Sequence, residues 1–520
     1  MGVVMYGVLS AAGVYGFFAG GANAALPVLW RDGLELSRVL HSAMPLFLSF
    51  SLALLAILLQ SCGNMRAREV LCCLLYYASS TFVLSLSDPT FIAVGFEFMA
   101  LFALLLIAYG CPAGNIGAFL HYASVHFISG VLLLVGACKF AQVGQFTGLS
   151  KTLYMAGLLI NAASFPASSW VSHTYPMSSR FGIMVLSAFT TKVAACILLR
   201  MFSGDPILLY AGMMTAIYGA IFAWLERNIR KAMSYNVVGQ VGLMLIAIGF
   251  SGVSYGVLIA YMALSVLYQT LLFMVADVVT VGSAEHRRGG LYAVYLSMFA
   301  CIVAVLNMGA FPGSAGFVVK SLVLHSTGTA GLIDVISKQV FLICSLLLFA
   351  GVGLRLVWLS SAQLRASHNE SSSVGRYLLE APMAFLVLLL VVLGMFHKQV
   401  LSFTGERFVY TPKDVAVQIA AISVTALCFV ISLRNKLLGR CEFSIDIDWI
   451  YRRFLPKVIS GFWNFVLYLC NVLSEKVCIP EYDDEDHAWV SALRQRMEAA
   501  DVALLLCMLV IGVVLVLTYV

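Results

Sequence analysis

The amino-acid sequence predicts an all-α protein that crosses a membrane many times. Of its 520 residues, 61% are hydrophobic and only 11% are charged, and the mean hydropathy is +0.96. Soluble domains carry about 25% charged residues, and a single soluble core stops growing at a few hundred residues. A chain this apolar therefore needs lipid to cover its outer surface.

Long apolar stretches separated by short polar loops mark the candidate helices. A spanning helix needs about 20 mostly apolar residues, and about 14 to 16 stretches meet that requirement. Two stretches are weaker, because 314–327 is short and 153–170 carries Asn161 and Pro166, where we expect a helix break. The candidate spans are 3–20, 43–60, 70–86, 91–110, 117–138, 153–170, 181–202, 206–225, 235–252, 255–280, 291–310, 314–327, 336–359, 378–396, 415–433 and 502–519.

The longer loops divide these spans into three regions. We expect N-terminal transmembrane helices in residues 1–66 and a transmembrane core in residues 67–400. Residues 401–520 are predicted to hold C-terminal helices, a polar loop and a final transmembrane helix.

Basic residues concentrate in short loops and predict the orientation. The net charge is +6, and the basic segments 66–68, 227–231 and 287–288 are separated by even numbers of candidate spans. They should therefore share one side of the membrane, the cytoplasmic side under the positive-inside rule. Since no basic run is interleaved with aromatic residues, the expected partner is the lipid bilayer and not nucleic acid.

The sequence predicts no cofactor, no metal and no catalytic centre in this chain. Its 13 cysteines are scattered, mostly through apolar segments, without the paired spacing of zinc or iron–sulfur ligands. P-loop, GxSxG, HExxH and haem motifs are also missing from the sequence. A membrane enzyme with an intramembrane site is therefore disfavoured.

Charged side chains inside apolar stretches are the candidate functional residues. A charge near the bilayer centre costs at least ~2.5–3.5 kcal/mol on insertion scales, so such residues tend to be paired or functional. Glu97 is the one charged residue of 91–110, and Lys192 lies in the middle of 181–202. Because a buried acid or amine can exchange its proton when a nearby charge moves, we predict both as proton-relay groups.

A third candidate lies beside an interrupted helix. Gly309, Pro312 and Gly316 interrupt the segment that leads to Lys320 and His325. Broken helices at membrane depth usually line a cavity, so both side chains are predicted relay groups that face it. For His325, a histidine satisfied within its own helix is an equal alternative.

Five stretches occur in the order of a known membrane family. They are Asp88 to Glu97, 187-SAFTTKVAACILLR-200, 226-ERNIRKAMSYNVVGQVGLMLIAIG-249, 269-QTLLF-273 and 307-NMGAFPGSAGFVVKSLVL-324. Together they resemble the antiporter-like subunits shared by respiratory complex I, membrane-bound hydrogenases and Mrp-type cation/proton antiporters. The sequence around Lys192 and Lys320 is most similar to the D-type antiporter subunits of the Mrp group.

This resemblance implies two inverted repeats, each with a broken helix, and ion movement through Glu97 and Lys192 along a hydrated axis. It makes residues 67–400 an antiporter-like proton-translocating core. The implied cargo is protons or monovalent cations, and the implied partners are other membrane subunits of an Mrp-like or complex I-like assembly. The implied location is a bacterial inner (plasma) membrane, as a multi-pass protein.

Three positions depart from the family pattern. Asn161 stands where the family has a lysine, Gln269 replaces the lysine of K-A-x-L-F, and His173 takes an aspartate position. Since asparagine and glutamine do not titrate, His173 is a candidate substitute, with an interface histidine as the alternative.

These departures leave three interpretations open. The first is a proton-translocating or cation/proton antiporter subunit with no catalytic site of its own. The second is a membrane subunit of a complex I-type NADH–quinone oxidoreductase. The third is a structural paralogue that has lost conduction, which the losses at Asn161 and Gln269 favour.

Overall fold

The computed structural model describes residues 36–61, 65–110, 116–281, 290–326, 331–367, 381–400, 406 and 408–434. Every regular element within these ranges is helical, which confirms the all-α prediction. Four predictions lie outside the described residues: the spans 3–20 and 502–519, the C-terminal polar loop and the basic pair 287–288.

The helices follow one another with short connections. A 3₁₀ turn, Tyr175–Met177, lies between α6 and α7, and a π-helical segment, Phe349–Leu354, joins α14 to α15. The helices are α1 Leu36–Gln60, α2 Ala67–Ser85, α3 Pro89–Gly110, α4 Ile116–Val143, α5 Gly148–Asn161, α6 Ser169–Thr174, α7 Arg180–Ala188, α8 Thr190–Phe202, α9 Pro206–Leu225, α10 Ile229–Gly249, α11 Tyr255–Val281, α12 Gly290–Met308, α13 Ala315–Ser326, α14 Leu332–Leu348, α15 Arg355–Ser367, α16 Ala381–Met395, α17 His397–Val400 and α18 Pro412–Arg434.

In the described part of the chain, ten helical stretches are long and apolar enough to cross a bilayer. Three shorter apolar helices accompany them, at Tyr295–Met308, Ala315–His325 and Ala381–Met395. A multi-pass integral membrane protein is therefore confirmed, as the composition predicted.

The centre of the bundle consists of α7, α8, α10 and α11. The apolar windows of Arg180–Phe202 and Ile229–Gly249 are 100% buried, whereas that of Pro412–Arg434 is 6% buried. Small residues let α9 and α10 touch backbone to backbone, since a Cβ at Gly242 would collide with the backbone of Ala216. The outer helices present apolar side chains outward.

One end of the bundle collects the basic segments, and we call it the basic end. The guanidinium of Arg230 donates to the carbonyl of Ser178 at 2.9 Å, and the neighbouring Ser179 hydroxyl donates to the carboxylate of Glu69. The start of α2, which contains residues 67 and 68, thus meets the start of α10, which contains residues 229–231. Two of the three predicted basic segments share this end.

Three interruptions break the helices at depth. Pro166 lies in the first, residues 162–168 between α5 and α6, and the second is at Phe189 between α7 and α8. Gly309 and Pro312 lie in the third, residues 309–314 between α12 and α13. Gly316 is the second residue of α13, so it packs the restarted helix rather than interrupting it.

Candidate functional site

Lys192 lies at the second interruption, fully buried in the centre of the bundle. Its side chain is 0% exposed. The Nζ atom donates to the carbonyl of Ser187 at 2.7 Å and to Oε1 of Gln269 at 2.5 Å. A break leaves carbonyls of the preceding turn without helical donors. The lysine therefore uses one acceptor that the break frees and one that the neighbouring helix α11 supplies.

On the amide side of the same break, a tyrosine accepts the hydrogen bond. The N–H of Thr190 donates to the Tyr76 hydroxyl at 3.2 Å, and the Tyr76 and Thr190 hydroxyls are hydrogen bonded to each other. The hydroxyls of Tyr122 and Tyr175 approach Thr190 as well and are buried. Four hydroxyl groups thus gather two residues before Lys192. Sequence reasoning missed this group, because tyrosines in an apolar stretch look like ordinary core residues.

Glu97 is half-buried on α3 and faces α4. A Cβ at Gly130 would overlap its Oε1, so the absence of a side chain at Gly130 makes room for the carboxylate. Among the described residues Glu97 makes neither a hydrogen bond nor an ion pair, and Lys192 donates only to neutral oxygens. The two predicted relay residues are therefore on separate elements without a direct ion pair.

Asn161, at the lysine position of the family, ends α5 and joins a buried polar cluster. Its Oδ1 lies 3.0 Å from Nδ1 of His126, and its Nδ2 donates to Oγ of Ser129 at 2.5 Å and to the carbonyl of Gly157 at 3.2 Å. His126 is 4% exposed and Asn161 is 2% exposed. Sequence reasoning missed His126, although an ionisable residue inside the span 117–138 met the criterion that selected Glu97.

His173 lies on the short helix α6, with its ring centroid 5.4 Å from that of His121 on α4. Both histidines are half-buried. The structure therefore places His173 beside a second histidine, near the outer part of the cluster that contains His126.

Lys320 is buried beside the third interruption. Its Nζ donates to the carbonyl of Met308, the last residue of α12, at 2.6 Å. It also donates to Oγ of Ser345 on α14 at 2.8 Å. Like Lys192, it combines a carbonyl freed by a break with a neutral oxygen from a neighbouring helix.

His325 lies near the end of α13 and is more exposed. Its Nδ1 contacts the carbonyl of Ser321 at 2.8 Å, and its Nε2 lies 3.1 Å from the carboxylate of Asp414 on α18. The contact to Ser321 fits the alternative of a histidine satisfied within its helix. The contact to Asp414 shows a second role, since it ties α13 to α18.

The described residues contain no group of three or more His, Cys, Asp or Glu side chains placed to hold a metal. The arrangement offers buried amines, a half-buried carboxyl and hydroxyl groups in a helical bundle. The amines and the carboxyl are the titratable groups that the sequence predicted as a relay.

The sequence profile of the family described as "NADH:quinone oxidoreductase/Mrp antiporter, TM" matches residues 88–347, which is half of the chain. The chain belongs to this family. The matched range contains Glu97, Lys192 and Lys320, and the resemblance predicted from the ordered motifs is confirmed.

Relatives of known name align with moderate identity. The NADH-ubiquinone oxidoreductase chain 5 of Hypocrea jecorina is 24% identical over 349 residues, covering 64% of this chain and 47% of the relative. The NADH-quinone oxidoreductase subunit N of Desulforudis audaxviator is 27% identical over 283 residues, covering 49% of this chain and 56% of the relative. The chain thus spans about half the length of these relatives.

Solved structures show the same fold. A chain of the Mrp complex from Dietzia sp. DQ12-45-1b superposes with a TM-score of 0.63 and 18% identity, covering 78% of this chain and 91% of that chain. A chain of the membrane-bound sulfane sulfur reductase, an archaeal respiratory membrane complex, superposes with a TM-score of 0.60 and 16% identity, covering 88% of each chain.

Proposed function

We propose that this chain is a proton-translocating membrane subunit of the cation/proton antiporter type. The observation that carries the proposal is shared by Lys192 and Lys320. Each amine is buried beside a helix break and is held by one backbone carbonyl and one neutral side-chain oxygen.

Neutral acceptors matter for proton transfer. A buried ion pair is costly to break, because removing one charge leaves the other uncompensated. Lys192 and Lys320 are hydrogen bonded to dipoles alone, so either can release and regain a proton without leaving a stranded carboxylate. Glu97, which has room against Gly130 and no ion pair among the described residues, supplies the acidic counterpart.

The chain acts, on this proposal, inside a multisubunit membrane assembly and moves protons or monovalent cations. Mrp-type subunits are the partners we favour, in a bacterial plasma membrane, with residues 67–400 as the translocating core. The fold shared with a chain of the Mrp complex supports this choice. No cofactor is assigned to the chain itself.

A complex I-type assembly is the second candidate, favoured by the names of the relatives. Proton movement under an imposed cation gradient distinguishes the antiporter-type assembly from the complex I-type assembly. An antiporter moves protons when a Na⁺ or K⁺ gradient is imposed without NADH or quinone, whereas a redox subunit moves them only during NADH oxidation.

The geometry argues against a paralogue without conduction. Gln269 replaces a family lysine, yet its Oε1 accepts from Lys192 and so holds the remaining amine. Asn161 likewise binds a titratable side chain, His126. An ionisable side chain therefore remains beside each substituted position, Lys192 beside Gln269 and His126 beside Asn161.

The test uses membrane vesicles that carry the full-length chain in its assembly. Lys192→Met and Glu97→Gln should each lower proton flux by at least about 100-fold, within the range for losing a proton-transfer group. Lys413→Met, at an exposed lysine in the first turn of α18, is the matched control and should transport at the wild-type rate. Wild-type flux from both test variants, in assemblies of normal yield, would overturn the proposal.

A further inference from the structure

Three histidines that the relay described above does not use lie close together where α4 packs against α6. His121 and His126 are on α4, and His173 on α6 has its ring 5.4 Å from that of His121. Tyr122 lies between the two α4 histidines, with its ring centroid 4.1 Å from that of His126. We call His173, His121 and His126 the histidine row.

The outer end of the row points toward the basic end of the bundle. His173 precedes by five residues Ser178, whose carbonyl accepts from Arg230. The last residue of α3, Gly110, packs against the backbone of Ser178 and Ser179, and α4 begins a few residues later. His121 is thus in the second turn of α4, near the basic end.

The inner end of the row reaches Glu97. His126 contacts Asn161, Asn161 donates to Ser129, and the next residue, Gly130, makes room for the Glu97 carboxylate. At 1.5 Å per residue, the axial distance from His121 to Gly130 is about 14 Å. The two α4 histidines cover about 7.5 Å of this distance, and the contacts through Asn161 and Ser129 cover the rest, up to the half-buried Glu97.

His126 differs from a histidine that merely fills the core. Buried polar atoms are normally hydrogen bonded, and each exception needs an explanation. Nδ1 of His126 is satisfied by Asn161, but its buried Nε2 has no hydrogen-bond partner among the described residues. A purely structural role would leave both nitrogens satisfied, whereas a proton-transfer role requires one nitrogen open to receive a proton.

The groups around the row suit this role. The described helices packed against α4 are α3, α5 and α6. Of their ionisable side chains, Glu97 faces the inner end of the row and His173 the outer end. Lys151 lies in the first turn of α5, at the opposite end of that helix from Asn161, and forms an ion pair with Asp205. Tyr122 also lies within electrostatic reach of Glu97.

We propose that the histidine row is the proton-access route from the basic end to Glu97, with His126 as the base that compensates for the lysine missing at Asn161. This inference rests on the proposed function. His173 and His121 take a proton on one nitrogen and give up the proton of the other, whereas His126, whose Nδ1 is held by the Asn161 amide, takes up and releases the proton at its open Nε2. Each ring thereby returns to its neutral form. Steps longer than a hydrogen bond pass through a bridging water.

Single glutamine variants test the row, since glutamine keeps hydrogen-bonding capacity and does not titrate. His121→Gln, His126→Gln and His173→Gln should each lower proton flux in vesicles carrying the whole assembly by about tenfold or more. His121→Gln and His173→Gln should also flatten the flux profile between pH 5 and 8, the range in which histidine changes its charge. A residue that only supports packing would lower the yield and leave the shape of that profile intact.

His397→Gln is the matched control. This histidine lies on α17, contacts the carbonyl of Gly394 and is remote in sequence from the row, so its variant should keep the wild-type flux and profile. Glu97→Gln is measured in parallel. Wild-type flux and profile in His121→Gln and His173→Gln, with Glu97→Gln inactive, would overturn the access route and leave the proposed function standing. Wild-type flux in Glu97→Gln would instead remove the proposed function.

Discussion

The helix breaks that follow Asn161 and Asn307 have similar sequences, although of their two Phe-Pro peptide bonds only the one at Pro166 is cis. Residues 161–168 read NAASFPAS and residues 307–314 read NMGAFPGS, so the asparagine, the Phe-Pro pair and the final serine coincide. Each break also holds an alanine in the left-handed region, Ala163 at φ 57° and Ala310 at φ 55°. Repeated breaks of this kind are what a fold built from internal repeats predicts.

The two breaks differ in the source of their ionisable group. At the break after Asn307, Lys320 on the restarted helix reaches back to the carbonyl of Met308. At the break after Asn161, no lysine of the described residues reaches back, and Asn161 contacts His126 on a neighbouring helix. At the break after Asn307 the titratable group is therefore on the restarted helix itself, whereas at the break after Asn161 it is on the neighbouring helix α4.

Replacing Lys320 should have the largest effect, because the break after Asn307 has no histidine row to take over. Lys320→Met keeps the length of the side chain and removes the amine that bridges Met308 and Ser345. We expect proton flux in membrane vesicles to fall by at least about 100-fold.

Lys398→Met is the control for this loss, since Lys398 is exposed on α17. It removes one positive charge from the same half of the chain and should leave flux unchanged. Equal flux from Lys320→Met and Lys398→Met would mean that Lys320 takes no part in proton transfer. The two breaks would then differ only in how their side chains pack.

Most of the fold was predictable because lipid imposes a simple rule. Apolar length marks a helix, and the described ranges confirm a multi-pass helical protein. Span 153–170 shows where the rule weakens, since it divides into α5, a break and α6. Hydropathy does not report a break, and only Asn161 and Pro166 signalled one.

The site was only partly predictable, for a physical reason. Glu97, Lys192 and Lys320 stand out because each carries a charge in an apolar stretch. Partners such as Ser345 and the hydroxyl of Tyr76 are neutral and do not stand out in the sequence. They can be recognised as part of the site only in the folded structure, where they form hydrogen bonds at a break. His126 had a usable signal, because it is ionisable inside an apolar span.

The break after Asn307 should also be sensitive to volume at Gly316. A Cβ there would collide with the backbone carbonyl of Asn307, whereas the residue equally spaced from Asn161 is the large side chain of Trp170. Gly316→Ala should lower the free energy of unfolding by about 1–3 kcal/mol, the usual cost of overpacking.

Denaturant unfolding in detergent measures this difference, with Gly331→Ala as the control. Gly331 precedes α14 in an extended conformation, and a Cβ there meets only the Asp334 carboxylate at an ordinary 3.8 Å. Its variant should stay within about 0.5 kcal/mol of the wild type. Equal stability of the two variants would show that the restarted helix can shift away from Asn307.

The smallest expected effect concerns the side chain that donates to a backbone carbonyl at each break. The carbonyl of Ile160 at the first break also accepts from the N–H of Ala163 at 3.0 Å. At the break after Asn161, Nε1 of Trp170 donates to the carbonyl of Ile160 at 3.1 Å; at the break after Asn307, Nε2 of Gln418 on the outer helix α18 donates to the carbonyl of Gly309 at 3.0 Å. Gln418→Leu should therefore cost about 0.5–1.5 kcal/mol, the net value of one hydrogen bond. Ser423→Ala, which removes a bond within α18, is the control and should leave hydrogen exchange around residues 309–314 unchanged. Faster exchange there in Gln418→Leu alone would establish that this break depends on a peripheral helix, whereas unchanged exchange in both variants would make the two breaks equally self-sufficient.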